Sequence, residues 1–369
     1  MRKIKLSAAW FSEREIEAVA RVMKRGSVSM GQETLQFERE LLSFFGRPES
    51  HVICVQSCTA AIQLSVQAYG IGLGADVLVP TLTFVSTFQA VKACGATPIP
   101  CDVNPSDGVI DLDDAARRIT TNTKAILPVI YAGCDSRVSD IYEFARRYGI
   151  RVIEDVAHCF GNDDVAQRDG LLCFSFDPIK NISCGDGGCI LTADSAIASR
   201  LQDMRLLGVI GDTEKRYNGQ RSWDFDVVEQ GWRLHMNDIA AAIGRAQLSR
   251  FQQIKEKRQN NARMYINAFV GLDGLQLFPV DTKTSVPHIF PVIVKNGLRD
   301  SLKEFLAEHG VETGIQYKPN HLLSYFNLGY DLPNAMGLYR NMLSLPVHPL
   351  LSEDDVRYVI NSVLRFFKQ

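Results

Sequence analysis

The chain has no apolar run approaching the roughly 18 residues that cross a bilayer, so no membrane span is expected. It also lacks a strong charge of either sign. Its 40 Lys and Arg face 42 Asp and Glu, a formal net charge of −2, which gives no electrostatic case for nucleic acid or an anionic membrane surface. No C-x-x-C pair occurs. The nine cysteines are an odd number, all between Cys54 and Cys189, so neither a disulfide framework nor a zinc site is expected, and a reducing cytoplasm fits. The cations of Met1-Arg2-Lys3-Ile4-Lys5 are not followed by an apolar signal region, so export is not expected. Internal repeats and low-complexity tracts are missing too.

What remains is an ordinary globular balance, 46% hydrophobic and 22% charged, over 369 residues, enough for two cores. Ser12-Glu13-Arg14-Glu15 has capping-box spacing, and Gly26 is a C-cap candidate for the helix that follows. A second helix is expected over Glu33 to Phe45. From residue 51 onward, short apolar strands alternate with helices. Strands are expected at 51–55, 77–79, 97–101, 125–130, 151–154, 171–176 and 188–191, and helices at 59–69, 84–93 and 138–148. Near-continuous apolar strands separated by helices predict a largely parallel sheet covered on both faces, with its site at the strands' carboxyl ends. After Asp238 a long connecting helix is expected through Lys257. A smaller α+β unit follows, with strands at 286–295 and 311–317 and helices at 302–309 and 353–367. The division expected is 1–245 for an N-terminal segment and large domain, and 246–369 for a small C-terminal domain.

Lys180 is the residue with most to say. It lies in Phe174-Ser175-Phe176-Asp177-Pro178-Ile179-Lys180-Asn181, close before Gly185-Asp186-Gly187-Gly188. A lysine buried in an apolar segment has its amine pKa lowered, because desolvation disfavours the ammonium. Upstream, the apolar run Val152-Ile153 ends in Glu154 and Asp155. A neutral amine and a buried acid are the two groups pyridoxal phosphate requires, the first for its aldehyde and the second for its ring nitrogen. The plainer alternative is a surface lysine in a loop, with Asp155 as a helix cap.

Three further segments fit the same cofactor. Gln56-Ser57-Cys58-Thr59-Ala60 joins a strand to a helix, where exposed N–H groups bind phosphate or Ser57 simply caps the helix. Phe84, in Pro80-Thr81-Leu82-Thr83-Phe84-Val85-Ser86-Thr87, either stacks on a pyridine ring or packs in the core. His158, three residues past Asp155, either supports that carboxylate or lies over the ring. Ser175 is within reach of a phosphate, and the glycines at 185, 187 and 188 permit close turns.

Taken in order, these motifs resemble the DegT/StrS-type sugar aminotransferases of PLP fold type I. Further matches are Gly95-Ala96-Thr97-Pro98, Thr123-Lys124-Ala125-Ile126, Ala240-Ala241-Ala242-Ile243-Gly244, Tyr317-Lys318-Pro319 with His321, and Leu345-Pro346. The similarity runs nearly end to end. It implies an aspartate aminotransferase-like α/β fold and pyridoxal 5′-phosphate as cofactor. Lys180 would be the Schiff-base lysine, Asp155 the pyridinium partner and Phe84 the stacking residue. Cys58, Thr59 and Ser175 would hold the phosphate. The Ser-Cys-Thr-Ala form is similar to UDP-4-amino-4-deoxy-arabinose aminotransferases. The implied reaction moves an amino group from L-glutamate, leaving 2-oxoglutarate, to a nucleotide-linked 3- or 4-keto sugar, as in lipopolysaccharide, O-antigen or other amino-sugar biosynthesis. A sugar dehydratase and an idle PLP-binding regulator are the alternatives; Lys180 argues against the first, because dehydratase relatives carry histidine there. The resemblance also implies a homodimer in which a residue of the neighbouring subunit completes the phosphate site, matched here by His235. An imidazolium beside a phosphate would have a raised pKa. Asp177, Asp186 and a short stretch from Cys159 to Cys173 depart from the family pattern.

Overall fold

The computed structural model describes residues 2–368 apart from 136, 221 and 222. Met1 of the N-terminal basic run therefore lies outside the described residues. Strands are β1 His51–Val55, β2 Asp76–Pro80, β3 Thr97–Cys101, β4 Thr123–Ile126, β5 Arg151–Asp155, β6 Leu171–Ser175, β7 Gly188–Thr192, β8 Leu275–Leu277, β9 Phe290–Val294 and β10 Met342–Leu345. Helices are α1 Glu13–Arg25, α2 Gln32–Phe45, α3 Cys58–Ala68, α4 Val85–Ala93, α5 Leu112–Arg118, α6 Val138–Tyr148, α7 Ser195–Met204, α8 Asp212–Tyr217, α9 Asp238–Ser249, α10 Phe251–Phe269, α11 Arg299–Glu308, α12 Pro333–Asn341 and α13 Glu353–Phe366.

Seven strands form one sheet in the order β1-β7-β6-β5-β4-β2-β3. The pairs β2–β3, β2–β4, β4–β5 and β5–β6 are parallel, whereas β7 runs antiparallel to both β6 and β1. This is the largely parallel α/β sheet the apolar strands predict. β6 and β7 are buried at every residue, because helices cover both faces. One core packs α3 and α4 against one face, around Ile62, Leu64, Phe88 and Val91. The other face meets α2 and the aromatic group Phe37, Phe45, Phe160, Phe174 and Phe176. A three-stranded antiparallel sheet, β10-β9-β8, carries its own core with α10, α11 and α13.

The expected first capping box forms: the Ser12 N–H donates to Glu15 Oε2 at 2.6 Å, and Gly26 closes α1 with φ 76°. Two expectations are corrected. The long helix through Lys257 breaks at Arg250 (φ −121°), whose side chain turns in to the buried Glu15 at 2.9 Å. The strand expected over 311–317 is replaced by isolated bridges. Val311 pairs Ile4 and Gly314 pairs Ser344, so its backbone is divided between two neighbours and no ladder extends.

Candidate active site

Four chain segments end at one cavity of about 250 Å³. The loop from β1 brings Ser57 and the start of α3, and the loop from β2 brings Phe84. β5 ends in Asp155, and the loop from β6 carries Lys180. Cys58, Thr59, His158 and Ser175 line the same space, as do Gln316 and Tyr317 from beyond the large sheet. A larger cavity, about 1030 Å³, lies elsewhere, beside Arg151 and the short 163–170 segment, and holds none of these groups.

Asp155 is 6% exposed. Its carboxylate accepts from the Thr87 hydroxyl at 3.0 Å and the Ala157 N–H at 3.1 Å, with Cys58 Sγ 3.9 Å away. Among the described residues it makes no ion pair. Burial raises its pKa, against the opposing pull of the Ala157 N–H, Lys180 and Thr87. A desolvated carboxylate with hydrogen bonds but no ion pair among the described residues fits a protonated ring nitrogen, which would restore its charge. Burial likewise pushes the Cys58 thiol well up, so it is present as the neutral thiol.

At the other end of the cavity, Ser57 caps α3, its hydroxyl accepting from the Ala60 N–H at 3.1 Å. The Cys58 and Thr59 N–H groups lie in the first turn, outside the helix's own ladder, at its positive end. Gly188 makes this approach possible. A Cβ there would stand 2.7 Å from Cys58 N, Ser57 C and Phe174 O. Ser175 is buried beneath, its hydroxyl accepting weakly from the Asp177 N–H at 3.4 Å. These groups fit a phosphate.

Lys180 is half-buried on a tight turn, its N–H bonded to Asp177 O at 3.0 Å and the Ile179 N–H to Asp177 Oδ1 at 3.0 Å. The Asn181 amide locks the turn by donating to Phe160 O and Val286 O, both at 2.8 Å. Arg258 of α10 reaches across to Lys180 O at 3.1 Å. Burial lowers the Lys180 amine below its ordinary range, opposed by Asp155, Cys58 and Asp177. That is the direction a lysine in this segment was expected to take.

His158 is buried but makes no hydrogen bond to Asp155. Its Nδ1 accepts from the Ala132 N–H at 3.1 Å, so Nε2 carries the proton and faces the Tyr317 hydroxyl at 3.3 Å. Phe84, 57% exposed, stands at the mouth with its ring centroid 5.7 Å from that of Tyr317. His235 lines no wall of this cavity. It pairs with Val55 at the end of β1, beside the strand-to-helix loop that leads into α3. In the single subunit, burial first and then Arg216, Arg205 and Arg233 lower it to about 4, opposite to the raised pKa expected beside a phosphate.

Sequence reasoning missed His288, Thr87 and Gln316. His288 Nε2 lies 3.2 Å from Lys180 Nζ. Its one signal was a lone imidazole in the apolar run Val286-Pro287-His288-Ile289-Phe290. Thr87 had a stronger signal, a hydroxyl in the first turn of the helix that Phe84 begins.

With this geometry in view, the comparisons with known proteins are direct. Residues 11–364 match the model of the DegT/DnrJ/EryC1/StrS aminotransferase family, and the chain belongs to that family. It is 33% identical to the spore coat polysaccharide biosynthesis protein SpsC of Bacillus subtilis, over 95% of this chain and 93% of that one. It is 32% identical to a dTDP-4-dehydro-2,3,6-trideoxy-D-glucose 4-aminotransferase of Saccharopolyspora spinosa, covering 94% and 92% of the two chains. The solved structure of NtdA from Bacillus subtilis, with bound cofactor PMP, superposes with a TM-score of 0.88 at 27% identity, over 97% of this chain and 82% of that one.

Proposed function

We propose that this chain is a pyridoxal 5′-phosphate-dependent aminotransferase that moves an amino group from L-glutamate to a nucleotide-linked 3- or 4-keto sugar. The reading rests above all on Lys180 and Asp155 lining one cavity with the open N-terminus of α3. The sugar 4-aminotransferase and the polysaccharide biosynthesis protein among its relatives support a nucleotide-linked sugar as acceptor and amino-sugar biosynthesis as the setting. The cofactor in NtdA supports pyridoxal phosphate and its amine form.

In this reading Thr59, Ser175 and the Cys58 and Thr59 N–H groups hold the phosphate, and Phe84 covers the ring. Bound there, the cofactor supplies an aldehyde and a ring that stabilises negative charge at the adjoining carbon. Asp155 keeps a proton on the ring nitrogen by charge. Burial favours the uncharged form of the Lys180 amine, which takes the proton from the substrate carbon that bears the amino group. Glutamate leaves as 2-oxoglutarate, and the keto sugar leaves as an amino sugar. Residues 1–245 would carry the cofactor site and 246–369 the small domain.

Assembly belongs to the same reading. Leu207, Ile210, Trp223, Phe225, Val227 and Val228 are exposed in one segment, apolar surface that supports an interface there. A homodimer would cover it and carry His235 toward the other subunit's phosphate. Among the described residues no helix is long and apolar enough to cross a membrane. The deciding experiment incubates purified protein with glutamate and a panel of nucleotide-linked 3- and 4-keto sugars, measuring 2-oxoglutarate and amino sugar. Failure of every acceptor, with no glutamate-dependent change in cofactor absorbance, would overturn the reading.

A further inference from the structure

We infer that His288 is a positioning residue for the Lys180 amine: its Nε2 holds Nζ by a hydrogen bond whenever that amine is not covalently engaged. The inference rests on the proposed use of Lys180 and adds to it a residue outside the large sheet. His288 is 6% exposed, and its Nε2 stands 3.2 Å from Lys180 Nζ. Among the described residues this is the hydrogen bond found for the amine. The opposite ring nitrogen, Nδ1, is buried with no partner. An imidazole kept for packing would be expected to satisfy both nitrogens, because an orphaned buried polar atom costs free energy a phenylalanine would avoid. Among the described residues the ring's one hydrogen-bond partner is Lys180.

The surroundings hold this pair together and keep the imidazole neutral. Arg258 is buried and reaches two backbone carbonyls, Lys180 O at 3.1 Å and His288 O at 3.5 Å, so one guanidinium spans both residues. The His158 ring lies 4.3 Å from that of His288, centroid to centroid. Burial, Lys180, His158 and Arg258 all oppose a proton on His288. Accepting from Lys180 Nζ requires the proton of the neutral imidazole to sit on Nδ1, the tautomer that presents a lone pair at Nε2. A lysine nitrogen carries N–H donors whether charged or neutral. It can donate to Nε2 in both states and, when neutral, keeps its own lone pair free. His288 therefore fixes the amine's direction without consuming the electrons that attack an aldehyde or take up a proton. This is the geometric requirement for efficient proton transfer.

The test uses full-length apo protein and two substitutions. Glutamine extends an amide oxygen toward the place of Nε2, whereas phenylalanine fills the ring's volume with no acceptor. Pyridoxal phosphate is added and covalent capture is followed over time: the amine and aldehyde condense to a C=N bond and release water. Borohydride quenching and peptide mass spectrometry locate the adduct on Lys180. Binding of pyridoxamine phosphate, which has no aldehyde, is measured in parallel. H288F is expected to slow capture about tenfold or more, with pyridoxamine phosphate affinity changed less than about threefold, and H288Q to recover most of the loss. The inference is overturned if H288F captures at the wild-type rate. It is equally overturned if both variants lose capture and pyridoxamine phosphate binding together, the pattern of a merely structural residue. Lack of capture at Lys180 by the wild-type protein would instead refute the cofactor reading itself.

Discussion

Arg258 offers a test of stability against function. Its side chain is buried, forms no ion pair among the described residues, and leaves Nε without a partner. Burial lowers its pKa to about 9. From an ordinary value of about 12.5, and at about 1.36 kcal/mol per pH unit, keeping that charge buried costs on the order of 5 kcal/mol as an upper bound. Against this stand contacts to Lys180 O at 3.1 Å, Ile179 O at 3.4 Å and His288 O at 3.5 Å, of which only the first has ordinary length. A charged hydrogen bond contributes roughly 1.5–3 kcal/mol and the longer pair less. The two sides nearly cancel. Arg258→Met keeps the apolar stem and removes the charge, so unfolding free energy is expected to change by no more than about 2 kcal/mol. Loss of one member of a buried ion pair would instead cost roughly 3–5 kcal/mol. Activity is expected to fall at least about tenfold, roughly 1.4 kcal/mol of transition-state energy, because the Lys180 and His288 carbonyls are no longer tied. The sign with pH is definite. Folded and unfolded arginine are both protonated below about pH 9, so between pH 6 and 8 the stability difference from wild type should be flat. Urea unfolding at fixed protein concentration and steady-state kinetics measure the two halves. A loss above about 4 kcal/mol, or a variant with full activity, would refute the reasoning.

Lys180→Ala should lose covalent capture of pyridoxal phosphate and all turnover while still binding pyridoxamine phosphate; a borohydride-trapped adduct at the wild-type level would contradict this. Asp155→Asn is isosteric and can keep the Ala157 contact, so it should fold and bind cofactor yet lose about 10³-fold in kcat, from roughly 4 kcal/mol for a charge pair at about 4 Å in a protein-like dielectric. A change below about tenfold would exclude Asp155 as the ring's partner. In apo protein, with no phosphate for it to meet, His235 is lowered to about 4 in the folded subunit against about 6.5 unfolded, so the unfolded chain binds more protons between those values. Stability should therefore fall as pH drops from about 6.5 toward 4, by about 1–2 kcal/mol after discounting its partial exposure, and His235→Gln should remove that part of the acid sensitivity in urea titrations at pH 7 and pH 5. If mixed dimers of Lys180→Ala with an inactive His235 variant stay inactive after verified subunit exchange, His235 plays no role across the subunits.

The architecture was legible because buried strands advertise themselves: β6 reads as an unbroken apolar run ending at Ser175, and the apolar pair Val152-Ile153 of β5 ends in Glu154 and Asp155. Lys180 and Asp155 could be paired from sequence because the strand-end rule sends both to the same edge of the sheet. His288 could not. It lies 108 residues after Lys180 in another layer, and only the packing of α10 and the 286–289 segment against the lysine turn brings it within reach. His158 lines the cavity, but its hydrogen bond was not legible, since the Ala132 N–H that fixes its tautomer comes from an irregular turn with φ 52°. The break at Arg250 was hidden because helical periodicity continues through it and only the buried Glu15 draws the side chain inward.

The reversed strand β7 has a consequence for how compactly this chemistry is encoded. Had β7 run parallel to β6, the chain would have had to leave the site, cross the sheet and re-enter at the opposite edge. Because it turns back, both ends of the 176–187 connection stay at the same edge. Ser175, Lys180 and Gly188 are thereby delivered to one place by a stretch short enough to be moved as a single cassette. Its length is also constrained at both ends: an insertion before Lys180 would lengthen the arm that carries the amine, and one after it would shift the glycine that admits α3. Loop shuffling in this protein should accordingly tolerate changes around the rim while rejecting almost any change of length between β6 and β7.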